Sequence, residues 1–188
     1  MNKSITKAEI AMAGMGGQGV LTIGHLLANA GLSVYENVSW FPTYETWQRG
    51  GKVYCCIILS DEEILSPMIS RPEVLFVLDE PSLNDYEDSI SEGGTLVYDT
   101  TLIGRAIKRN DIRVLSIPSA KLAQELGSIQ VGNLILLGAY LSDSKVLPMD
   151  IVESTLEEML KKGNKEHFIS LNKKALRLGF EKFSGNGN

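Results

Sequence analysis

The stretch Gly14-Met15-Gly16-Gly17-Gln18-Gly19 restricts the fold of this chain more than any other. It carries the G-x-G-x-x-G spacing, with an extra glycine at Gly17. The apolar run Ile10 to Ala13 before it reads as a buried strand ending in a tight turn. The run Val20 to Gly31 after it places Leu21, Leu26, Leu27 and Ala30 at helical spacing. Strand, glycine turn and helix in that order form the context in which such a motif carries meaning. Glycines let the backbone turn sharply and approach a ligand closely, and the free N–H groups of a helix start favour a negative group. The expectation is an anion or phosphate cradle built from Gly14, Gly16, Gly17, Gln18 and Gly19.

Short apolar runs alternate with longer amphipathic ones along the rest of the chain. The pattern predicts strands over Ile5–Ala13, Ser33–Asn37, Lys52–Leu59, Val74–Leu78, Thr95–Tyr98 and Arg113–Ile117. It predicts helices over Gly17–Ala30, Pro81–Ile90, Lys121–Gly127, Val131–Leu141, Asp150–Lys161 and Lys165–Phe180. That order indicates an α/β fold of Rossmann-like type, with a mainly parallel sheet and helices on both faces. No internal repeat or linker divides it, so residues 1–183 read as one domain and 184–188 as a flexible tail.

Ligands of such sheets bind outside the carboxyl ends of the strands. The segment Val38 to Gly51 is expected on that edge as a long loop without periodicity. It is rich in aromatics and ends in Arg49-Gly50-Gly51, a combination suited to a phosphate or a protein interface. Trp40 and Phe41 serve equally well to pin the loop to the core.

Other chemistries lack their residues. Cys55 and Cys56 are the only cysteines and are adjacent in an apolar run, so in a strand they point to opposite faces and cannot easily grip one metal. Four thiolates for an iron–sulfur cluster are not available. His25 and His167 each stand alone within a predicted helix. Asp79-Glu80 and Asp61-Glu62-Glu63 read as strand ends and turns. No catalytic or metal constellation is expected. A dehydrogenase would place an acid near the end of the second strand; Glu36 falls there but has no supporting signal. A net charge of −5 offers no basic field for nucleic acid. No run is long and apolar enough for a membrane span, and residues 1–7 lack the core of a secretion signal, which points to the cytoplasm.

The ordered set of motifs resembles the gamma subunit of the 2-oxoacid:ferredoxin oxidoreductases, which act on pyruvate, 2-oxoglutarate, branched-chain 2-oxoacids or indolepyruvate. The resemblance rests on Gly14-Met15-Gly16-Gly17-Gln18-Gly19-Val20 and Gln48-Arg49-Gly50-Gly51. Ser60-Asp61, Ile64-Leu65-Ser66-Pro67 and Glu92-Gly93-Gly94-Thr95-Leu96 extend it. Gly132-Asn133, Leu137-Gly138-Ala139 and Asn172-Lys173-Lys174-Ala175 complete it. It implies a share in the oxidative decarboxylation of a 2-oxoacid with coenzyme A, yielding acyl-CoA, carbon dioxide and reduced ferredoxin. Thiamine diphosphate and [4Fe-4S] clusters are then carried by partners: thiamine-binding alpha and beta subunits and a ferredoxin-like delta subunit or domain. This chain would help to bind coenzyme A and to assemble the enzyme, with Arg49 clamping a second phosphate oxygen, and would be inactive alone. One departure stands out: the family's Glu two residues before Arg-Gly-Gly is replaced by Trp47, with Glu45 two residues earlier.

Two other readings compete. One is a stand-alone Rossmann-like nucleotide-binding oxidoreductase or sensor. The other is a scaffold in which Gly16 and Gly17 serve only close helix–strand packing.

Overall fold

In the computed structural model, which describes residues 5–44 and 51–183, the alternating pattern becomes six strands and six α-helices. In chain order they are β1 (Lys7–Met15), α1 (Val20–Gly31), β2 (Asn37–Tyr44), β3 (Lys52–Ser60), β4 (Val74–Val77), α2 (Glu80–Tyr86), β5 (Thr95–Asp99) and β6 (Arg113–Ile117). Then follow α3 (Ser119–Glu125), α4 (Gly132–Ser144), α5 (Met149–Lys162) and α6 (Ile169–Phe183). The sheet order is β2-β3-β1-β4-β5-β6. β3 pairs antiparallel with both β1 and β2, while the pairs β1–β4, β4–β5 and β5–β6 are parallel. Five strands therefore run one way and β3 alone runs against them, in keeping with a mainly parallel sheet that has helices on both sides.

Burial explains the near-continuous apolar runs. Ile10 to Ala13 of β1 are fully buried, because both faces of a central strand are covered. Alternate residues feed two cores. Ile10 and Met12, with Ile57, Leu59 and Phe76, pack beneath α1, α3, α4, α5 and α6. Ala11, Leu75, Val77 and Leu96 face the other way, against Leu83 of α2 and the irregular segment carrying Ile103. α4 and α6 pack backbone against backbone. A Cβ on Gly138 would lie 2.0 Å from the Leu176 carbonyl oxygen, and one on Gly179 would lie 2.1 Å from that of Ile135.

The second strand departs from expectation. Residues 33–36 form a turn, with Tyr35 buried and its hydroxyl donating to the Val146 carbonyl at 3.0 Å. The strand follows as β2, over residues expected to be loop. Its pattern was masked because it is an edge strand carrying aromatics on both faces. Trp40 packs on the main core, while the adjacent Phe41 packs on a small cluster of Cys56, Ile58 and Ile69. Pro42 is tolerated there because an edge strand bonds on one side only. The remainder of the expected loop, 45–50, and the tail 184–188 lie outside the described residues. Cys55 and Cys56 do point to opposite faces, one to each cluster. Asp79 caps α2, its Oδ1 accepting from Ser82 N at 2.8 Å. Among the described residues no helix is long and apolar enough to cross a membrane.

Candidate functional site

The glycine turn lies at the carboxyl edge of the sheet, where β1 ends and α1 begins. Gly17 and Gly19 have φ of 102° and 79°, a region where a side chain is strained. Gly14 is a packing glycine: a Cβ there would lie 2.6 Å from Gln18 Oε1 and 2.9 Å from Val20 Cγ2. The Gly16 N–H donates to the Gly51 carbonyl at 3.0 Å, tying the turn to the start of β3. Gln18 does not reach outward. Its Oε1 accepts from Met15 N at 2.7 Å and its Nε2 donates to the Leu78 carbonyl at 3.2 Å, so it bridges the ends of β1 and β4. These two neighbours are where the chain changes direction across the sheet, the usual crevice for a ligand. The first turn of α1 contains no acidic residue, which leaves the positive end of its dipole without a carboxylate of its own.

Two crevices flank this turn and share Gly17, Gln130 and Asn133. The larger, about 690 Å³, runs between α1 and α5–α6 and is lined by Thr22, His25, Trp40, Lys165 and Phe168 among others. His25 is exposed and stacks on Trp40, with ring centroids 4.7 Å apart. Beneath Trp40, burial pushes the Cys55 thiol up to about 12, with the indole N–H working against the rise. The smaller crevice, about 320 Å³, is lined by Leu78, Asp99, Leu102, Ser119 and Leu136. Asp99 is buried at the end of β5. Its Oδ2 accepts from Ser119 Oγ at 2.6 Å and Ala120 N at 2.7 Å, and its Oδ1 from Thr101 N at 2.7 Å. Its charge is consumed in stapling β5 to α3.

Gly14, Gly16, Gly17, Gln18 and Gly19 thus form one turn, and Gly51 joins it through Gly16. Arg49 and Gly50 lie outside the described residues. Glu36 is exposed and precedes β2. Because Asn37 pairs with Ser60 and Ser60 with Lys7, it sits at the sheet edge opposite the glycine turn. The acid that a dinucleotide-binding site requires is therefore at the wrong end. Sequence reasoning missed Lys165 and Asp99, for which no local signal exists. It also missed a role for Asn133. This side chain donates through Nδ2 to the carbonyls of Gln18 and Gly19, at 3.2 and 3.3 Å.

Comparison with known proteins agrees with this architecture. The family model for pyruvate ferredoxin/flavodoxin oxidoreductase matches residues 9–182. The ketoisovalerate oxidoreductase subunit VorA of Methanothermobacter thermautotrophicus is 32% identical over 177 residues, 93% of this chain and 36% of VorA. The chain thus spans about a third of the length of that relative. The 2-oxoglutarate synthase subunit KorC of Methanocaldococcus jannaschii is 30% identical over 172 residues, covering 88% of this chain and 91% of KorC. The crystal structure of the keto/oxoacid ferredoxin oxidoreductase gamma subunit from Geobacter sulfurreducens superposes with a TM-score of 0.78 at 26% identity, covering 94% of this chain and 98% of that one. The chain belongs to the pyruvate ferredoxin/flavodoxin oxidoreductase family and has the architecture of its gamma subunits.

Proposed function

We propose that the chain works as the gamma subunit of a multisubunit 2-oxoacid:ferredoxin oxidoreductase, in which it contributes to coenzyme A binding and to assembly. The supporting observation is family membership over residues 9–182 combined with a glycine turn that opens on two crevices at the sheet's carboxyl edge. The pyrophosphate of coenzyme A suits that turn. Glycine backbone admits close approach, and α1 presents N–H groups without a competing carboxylate in its first turn. In this reading Arg49 supplies a charge-assisted clamp on a further phosphate group, with Gly50 and Gly51 as the glycines that follow it in the chain.

The redox and carbanion chemistry belongs to partners. Thiamine diphosphate, held by alpha and beta subunits, would supply the carbanion-stabilising chemistry of the decarboxylation. Clusters of a ferredoxin-like delta subunit or domain would supply the path for the electrons to ferredoxin. Cys55 and Cys56, buried on opposite faces of β3, do not form a cluster site. KorC is close to this chain in length, whereas VorA is more than twice as long.

Anaerobic co-purification tests the reading. Thiamine diphosphate and iron travelling with the chain support it; a chain recovered alone and free of both overturns it. In the assembled enzyme, Arg49→Ala raises the coenzyme A concentration needed for half-maximal rate, by about tenfold or more for a lost charge-assisted pair. An unchanged coenzyme A dependence removes the clamp.

A further inference from the structure

We propose that Asn133 is the positioning residue of the glycine turn, holding its N–H groups in the orientation that receives an anion. The inference rests on the reading above and adds a residue more than a hundred positions away in the chain. Asn133 stands in the first turn of α4, and its Nδ2 donates to two successive carbonyls of the turn, Gln18 O at 3.2 Å and Gly19 O at 3.3 Å. In a planar trans peptide the carbonyl and the following N–H point in opposite directions. Drawing the Gln18 oxygen toward α4 therefore turns the Gly19 N–H away from it, while the Gly19 oxygen, which also accepts from the N–H groups of Thr22 and Ile23 at 3.0 and 3.1 Å, is held by α1 and Asn133 together.

The orientation of the amide is set by these carbonyls. Asn133 Oδ1 is shielded from solvent and has no hydrogen-bond partner among the described residues. The reverse amide would set Oδ1 against two carbonyl oxygens. Space confirms the pairing. A Cβ on Gly19 would lie 2.1 Å from Asn133 Nδ2, so the glycine leaves the volume that the amide occupies. Asn133 lines both crevices, so a change there is felt on either side of the turn. Gln18 fixes the turn to β1 and β4; Asn133 fixes it to α4.

The test uses the purified chain of 188 residues with two readouts. Hydrogen exchange of the segment 14–20 is followed without ligand, and coenzyme A is titrated by calorimetry. In Asn133→Ala, exchange at 14–20 rises by about tenfold, the worth of a lost hydrogen bond, while β3 exchanges as in the wild type. Coenzyme A binding weakens by about the same factor. Asn133→Asp weakens binding further at neutral pH, because a carboxylate repels both the turn carbonyls and the phosphates. Its deficit relative to the wild type, compared at each pH, shrinks as the carboxyl protonates and can donate again. An Asn133→Ala chain with wild-type exchange at 14–20 overturns the proposal. So does weakened coenzyme A binding without altered exchange, which would make Asn133 a ligand contact. A wild-type chain that ignores coenzyme A, with the exchange response intact, removes the coenzyme A reading and leaves Asn133 as the positioning residue.

Discussion

Replacing Gly19 by Ala separates two costs that the structure combines at one position. The first is backbone strain. Gly19 has φ of 79°, and an L residue held in that region pays about 1–2 kcal/mol. The second is displacement of Asn133, because the new methyl would lie 2.1 Å from its Nδ2. Swinging the amide away gives up both hydrogen bonds to the turn, worth about 1–3 kcal/mol together. Gly17→Ala is the internal control: its φ of 102° imposes strain, but among the described residues a Cβ there meets nothing within 4 Å. Urea melts at neutral pH should therefore rank Gly19→Ala below Gly17→Ala by about 1–3 kcal/mol. In thermal melts of a domain this size the gap is roughly 2–12 °C. Putting Gly19→Ala into an Asn133→Ala background closes the cycle. With the amide gone, the clash and the hydrogen bonds are already absent, and Gly19→Ala should cost only its strain. Additivity of the two substitutions within about 0.5 kcal/mol would refute the steric pairing of Gly19 with Asn133.

Two further predictions concern stability. Gly138→Ala and Gly179→Ala should each destabilise by about 3 kcal/mol, the upper part of the overpacking range, because each methyl meets a backbone carbonyl of the facing helix and no rotamer relieves it. A mutant melting with the wild type would mean that α4 and α6 separate freely. The second concerns acid. Burial pushes the Glu87 carboxyl up, but Arg105 and the backbone N–H groups of Arg109 and Lys108 outweigh it and hold it below the ordinary range. A depressed carboxylate contributes stability above its unfolded value of 4.5, and loses it as pH falls through the lower folded value. Glu87→Gln should cost about 3–5 kcal/mol at pH 7, since Arg105 loses its buried partner, and should flatten the decline below pH 4.5. An acid limb as steep as the wild type's in urea melts would show that other carboxylates govern it.

What could be read in the chain before folding follows the range of the interactions. β1, the glycine turn and α1 were legible because each is local: a run buried on both faces, residues free to take positive φ, then helical spacing. β2 was illegible for the opposite reason. Its aromatics alternate between two cores, so that Trp40 and Phe41 look like a featureless apolar cluster until the sheet separates them. Pro42 added a false signal that only an edge position accommodates. The error carried a functional consequence, because it moved Glu36 from the start of one strand to the end of another. Asn133 was visible only as part of the Gly132-Asn133 step among the stretches that carry the family resemblance. Its partners are 114 and 115 positions away, beyond what spacing can reveal.

The glycines of the turn are not equivalent, and their differences bear on whether the motif is more than scaffolding. Gly14 and Gly19 each leave room for a neighbouring side chain, Gln18 and Asn133 respectively. They would be needed in a purely structural turn. Gly17 is different. It takes a positive φ, yet among the described residues no atom beyond its chain neighbours lies within 4 Å of where its side chain would stand, and it borders both crevices. Close helix–strand packing therefore does not account for it. The backbone conformation demands glycine there, as it does at Gly93 and Gly127, where the Cβ position is likewise free of the described residues. Gly17 is thus required by the turn's own backbone, and its place beside both crevices is the feature on which the coenzyme A reading proposed above draws.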